Sequence, residues 1–98
     1  MSRAFYTEYV KHCLRFYVRH GNPKFHTEAD KHNWQACEEA LNTFSDSDRE
    51  MLMAVYQGGD TIPDNIYQLA KDKDISQDCV WRLVNELERK VAKRRGLL

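Results

Sequence analysis

Apolar residues recur along this chain at three- and four-residue intervals, the spacing that gathers side chains on one face of an α-helix. Tyr6, Tyr9, Val10, Cys13, Phe16 and Tyr17 trace such a face and predict a first helix over residues 3–20, with Lys11, Arg15 and Arg19 elsewhere on it. Gly21-Asn22-Pro23 should stop it, glycine at the C′ position and proline just beyond. A second helix is expected over 28–43. Thr27 is its N-cap, Glu28 and Asp30 lie where the helix dipole favours acids, and Trp34, Cys37, Leu41 and Phe44 form its apolar face. These two helices should form an antiparallel pair.

Ser45-Asp46-Ser47-Asp48-Arg49-Glu50 opens a third helix, with either serine able to cap it. Met51, Leu52, Val55 and Tyr56 follow, and Gly58-Gly59 ends it. Thr61-Ile62-Pro63-Asp64 begins a short fourth helix, proline in its first turn, with Ile66, Leu69 and Ala70 inward and an end near Lys73. After Asp74-Ile75, Ser76 caps a long fifth helix running to about Arg95. Its apolar stripe is Val80, Leu83, Val84, Leu87 and Val91, and Gly96 can end it. No segment alternates as a strand would. The expected fold is all-α, about five helices in one domain over 1–98: an N-terminal pair (1–43) packed on a three-helix unit (44–98).

Residues 66–85 fit a helix-turn-helix. Such a unit needs a small residue where its helices cross, a tight turn, and apolar anchors on both sides. Ala70 is the small residue beside Leu69, Ile75 anchors the turn, and Val80 and Leu83 anchor the second helix. Lys73 stands where another apolar anchor is usual. Asp74 stands where glycine is usual and must accept a left-handed backbone, which Asp does better than most residues. Opposite the apolar stripe lie Asp78, Arg82, Asn85 and Arg89, with Gln77 and Trp81 on one flank. Arg reads guanine, and Asn or Gln reads adenine, in the major groove. Gln77, Arg82 and Asn85 are therefore the candidate base-facing residues. Ser76, with the first-turn amides, and the cluster Arg89, Lys90, Lys93, Arg94 and Arg95 are the candidate phosphate-facing ones.

Charge changes this picture in one respect. The net charge is zero, which argues against broad electrostatic capture of nucleic acid. It is unevenly spread, at +1 over 1–43, −4 over 44–75 and +3 over 76–98. The basic surplus thus lies on the proposed reading helix, although a basic C-terminal turn also suits the helix dipole.

Phe44-Ser45-Asp46-Ser47-Asp48-Arg49-Glu50-Met51-Leu52, then Tyr56, then Ile66 to Leu83, resembles the fourth conserved region of bacterial sigma factors, a likeness that covers residues 44–95. Phe5 to Val10, Asn33-Trp34 and the ending from Glu88 to Leu98 resemble small sigma-factor-like proteins of Firmicutes phages and conjugative elements. The likeness implies a transcription role on promoter-like double-stranded DNA and contact with RNA polymerase. A chain of 98 residues has no room for the other sigma regions. That leaves a stand-alone promoter binder, a polymerase-binding accessory, or a scaffold that kept the fold without the activity.

Other chemistry finds little footing. His12, His20, His26 and His32 lack the paired spacing of a structural zinc site, so no metal or other cofactor is expected. There is no phosphate-binding glycine loop and no nucleophile–base pair at a recognisable spacing, so no enzyme is expected. Cys13, Cys37 and Cys79, odd in number and far apart, read as reduced, buried thiols. No apolar run is long enough to span a membrane and no secretory signal opens the chain, so a cytoplasmic protein is expected. The ring-rich first helix serves either the core or a partner surface. A two-fold dimer would suit a helix-turn-helix reader. The alternative function is therefore a non-enzymatic interaction module, for self-association or for RNA polymerase.

Overall fold

A computed structural model describes residues 5–19, 25 and 27–98. These residues form five helices and no strand: α1 (Thr7–Arg19), α2 (Glu28–Leu41), α3 (Asp46–Gln57), α4 (Ile62–Lys73) and α5 (Gln77–Arg94). The all-α expectation with five helices holds. The start of the predicted first helix at residues 3 and 4, and its stop at Gly21-Asn22-Pro23, lie outside the described residues.

Four helices begin at a side-chain cap. Thr27, Ser45, Thr61 and Ser76 each have extended backbone, and each hydroxyl accepts the amide hydrogen three residues on. One of the otherwise unpaired first-turn N–H groups is satisfied in each case. Ser45, not Ser47, caps α3, accepting from the Asp48 amide at 3.2 Å. The α2 helix ends two residues before the expected Thr43. There the Thr43 hydroxyl donates to the Ala40 carbonyl at 2.7 Å and its amide reaches the same oxygen, which tightens the chain into a turn.

One core is shared by all five helices. Leu14, Leu41, Leu52, Ile66, Val80, Val84 and Leu87 are among its fully buried members. Burying each such side chain contributes roughly 1.5–3 kcal/mol. α1 packs against α2, α3 and α5, while α2 also lies on α5 and α4 sits between α3 and α5. Tyr17 of α1 meets Trp34 of α2 with ring centroids 5.1 Å apart.

The buried face of α1 keeps Val10, Cys13 and Tyr17 of the expected one but is otherwise different. Val10, Leu14, Tyr17 and Val18 are buried, Tyr9 is exposed and Phe16 is half-buried. Counting every ring as inward pulled the predicted stripe around the helix. The aliphatic Val10, Leu14 and Val18, which carry no polar side-chain atom, are buried while Tyr9 stays outside.

The link between α3 and α4 is pinned from two directions. Arg15 of α1 donates to the carbonyls of Gly58 (3.3 Å) and Asp60 (2.7 Å). Asn65 donates its side-chain amide to the carbonyls of Val55 (2.9 Å) and Asp60 (3.2 Å). Asn65 lies so close beneath Gly58 that a Cβ there would come within 2.6 Å of its amide group.

Candidate nucleic-acid interface

α4 and α5 are joined by three residues, and the join is held by backbone. Asp74 takes the left-handed conformation, φ 55° and ψ 48°, as expected where glycine is usual. The Ile75 amide donates to the Ala70 carbonyl at 3.0 Å and the Asp74 amide to the Lys71 carbonyl at 3.3 Å, the pairing of a Schellman motif. Ile75 does not anchor this turn as expected, being 38% exposed. The hydrogen-bonded backbone fixes the chain there without it. Residues 71 to 79 are exposed without interruption, so the turn and the first residues of α5 stand out from the body.

The two faces of α5 are sharply unlike. Val80, Val84, Leu87 and Val91 are fully buried; Leu83, expected among them, is half-buried. Successive residues of an α-helix advance about 100°, which places Asp78, Arg82, Asn85, Arg89 and Lys93 in one outer arc about 80° wide. All five are exposed. Gln77 is exposed too, but it lies on the flank beside half-buried Trp81. Ser76 is exposed while its hydroxyl oxygen accepts from the Cys79 amide at 3.4 Å, leaving its own hydrogen to donate elsewhere.

The basic cluster divides. Arg89 and Lys93 are in the open arc, where they line a depression of about 410 Å³ with Glu86, Lys90 and Leu98. Lys90 reaches Thr43 Oγ1 at 2.8 Å and Glu86 at 3.4 Å, with its ammonium 4.5 Å from the centre of the Phe44 ring. Arg94 pairs with Glu39 at 3.8 Å. Arg95 donates from Nε to Asn33 Oδ1 at 2.5 Å, and the same oxygen accepts from Tyr9 at 3.0 Å. Lys90, Arg94 and Arg95 therefore fasten the end of α5 to α2 and the turn after it.

Sequence reasoning missed Glu88. It occupies a core position of α5 at 2% exposure, and its carboxylate accepts the Tyr56 hydroxyl at 2.7 Å. The signal was available, because 84, 87, 88 and 91 repeat the i, i+3, i+4, i+7 pattern of a buried face. The fastening role of Asn33 had no such signal, since its partners lie 24 and 62 residues away.

Two of the three cysteines are buried as expected and the third is not. Cys13 and Cys37 are buried, and burial pushes both thiols above their ordinary range; Cys79 is exposed. Among the described residues no three His, Cys, Asp or Glu side chains gather as metal ligands would, and no helix is long and apolar enough to cross a membrane. No family model, curated protein or solved structure matches the chain.

Proposed function

We propose that this chain is a sequence-specific binder of double-stranded DNA, acting in transcription as a regulator or a sigma-factor-like accessory of a mobile element, with α5 laid in the major groove. One observation carries the reading. The outer arc of α5 is open and bears Arg82, Asn85, Arg89 and Lys93, while its inner face is locked into the core. A rigid helix with guanidinium and amide groups on its free side matches what base edges require. Arg82 and Asn85 face bases, with Gln77 reaching in from the flank. Ser76, Arg89 and Lys93 hold phosphates. Lys90, Arg94 and Arg95 contribute positive field while serving the fold.

Titration of randomised and selected duplexes at low salt tests this. Arg82→Ala should lose discrimination between sequences, whereas Lys93→Ala should weaken all of them alike. Absence of duplex binding at low salt would sink the reading. RNA polymerase is the protein partner that the sigma-factor likeness adds, and co-purification with the core enzyme tests it.

A second reading, a module for self-association, is favoured by Phe5. Its ring is 83% exposed and stacks edge-on only 5.6 Å from Tyr6. Sedimentation of the wild-type and Phe5→Ser chains decides it. A wild-type monomer at all concentrations removes this reading.

A further inference from the structure

Asp78 is the one member of the open arc that phosphate binding cannot explain. It lies in the first turn of α5, where the helix dipole favours an acid. That preference would be met equally at position 77 or 79, both outside the arc. Among the described residues no cation lies within ion-pairing distance of Asp78. Its carboxylate is thus presented to whatever the arc meets.

A carboxylate accepts hydrogen bonds and cannot donate them. In the major groove guanine shows it N7 and O6, and thymine O4, all acceptors. Adenine offers a donor beside an acceptor. Cytosine N4 offers a donor alone and fits best. The guanine opposite shows the two acceptors that a guanidinium takes with paired N–H groups. Asp78 and Arg82 are one turn apart, separated by about 6 Å along the axis. That is less than two base-pair steps of about 3.4 Å. The two side chains therefore reach both halves of one C·G pair or two neighbouring pairs.

We propose that Asp78 selects a cytosine paired with, or next to, a guanine read by Arg82, and that Asn85, about 4.5 Å further along the helix, reads an adenine on the following step. This rests on the DNA-binding reading above. Asp78 acts mostly by exclusion, because guanine or thymine leaves a desolvated carboxylate facing acceptors alone and adenine sets an acceptor beside its donor. It also explains how a chain of zero net charge is discriminating, since the same carboxylate lowers affinity for phosphate in every sequence.

The experiment is duplex selection from a randomised pool by the wild-type, Asp78→Asn and Asp78→Ala chains. Asp78 is exposed and forms no side-chain ion pair among the described residues, so both variants should fold, and circular dichroism checks it. The wild-type chain should enrich cytosine at one position by about 5- to 150-fold over other bases. Asp78→Asn should move that position to adenine, whose N6 and N7 an amide matches. Asp78→Ala should lose the preference while holding the unselected pool as tightly or more so. A defined wild-type site that lacks the cytosine, or that both variants select unchanged, overturns the role of Asp78 and leaves DNA binding standing. A wild-type chain that retains no duplex overturns both.

Discussion

At the residue scale the most exposed commitment to this fold is Glu88. A carboxylate taken out of water is tolerated only when hydrogen-bonded, and the Tyr56 hydroxyl, itself in a fully buried side chain, is one of its donors. Tyr56→Phe keeps the ring and removes the donor. It should cost about 1–3 kcal/mol in urea unfolding, with the slope against denaturant unchanged. A double-mutant cycle with Glu88→Gln should show a coupling of at least about 0.5 kcal/mol. Cys37 gives a second residue-scale test. Burial raises its thiol above the ordinary value of 9.0, so the folded chain keeps a proton that the unfolded chain releases. The stability this contributes is fully present below pH 9 and is lost as the pH rises above it. The fall should approach about 1.4 kcal/mol per pH unit for this group, and Cys37→Ala should remove that share while keeping the smaller one from Cys13, as measured by unfolding at pH 8, 9 and 10.

At the element scale, two turns ask opposite things of their key residue. Asp74 holds a left-handed backbone at the end of α4, where an L side chain is strained and only glycine is free. Asp74→Gly should therefore raise stability, by less than about 1 kcal/mol, and Asp74→Val should lower it. Gly58 has an ordinary φ of −59° but lies against Asn65, which is held by the carbonyls of Val55 and Asp60. Gly58→Ala should displace Asn65 and cost about 1–3 kcal/mol. Thermal melts of the variants separate the two effects by sign. These elements also mark what the sequence makes legible. Helix starts at Thr27, Ser45, Thr61 and Ser76 and the left-handed turn at Asp74 are local chemistry, written in four or five consecutive residues. The buried face of α1 is not, because Tyr9 and Leu14 are both apolar by pattern and only the neighbouring helices decide which goes in. The exposure of Ile75 has another origin, since a turn closed by backbone hydrogen bonds needs no anchor. Of the candidate site, the open arc was legible from helical angle alone. The diversion of Arg94 to Glu39 and of Arg95 to Asn33 was not, since it depends on where α2 arrives.

At the scale of the whole molecule, charge and packing together bear on the proposed DNA binding. The acidic surplus of residues 44–75 is cancelled by the basic surpluses of 76–98 and 1–43, so long-range attraction to DNA would be weak and, on the proposed reading, binding comes from contacts along α5. Three cations of the basic cluster are partly committed to fastening α5 on α2 and its end. On the proposed reading, phosphate contacts therefore fall to Arg89 and Lys93, with one or two more from Ser76 and the fastened cations. Each neutralised phosphate contributes about −0.9 to the slope of log affinity against log salt. Two to four phosphates neutralised by these cations give a slope of about −1.8 to −3.6, or a loss of roughly 12- to 150-fold between 50 and 200 mM salt. Lys93→Ala should flatten the slope by about one without altering the selected sequence or the melting temperature. Arg95→Ala should instead lower the melting temperature, because it releases Asn33 and with it the hold of α5 on α2. A slope steeper than about −6 would mean that Lys90, Arg94 and Arg95 leave their protein partners to contact DNA, and Arg95→Ala would then change the slope as Lys93→Ala does.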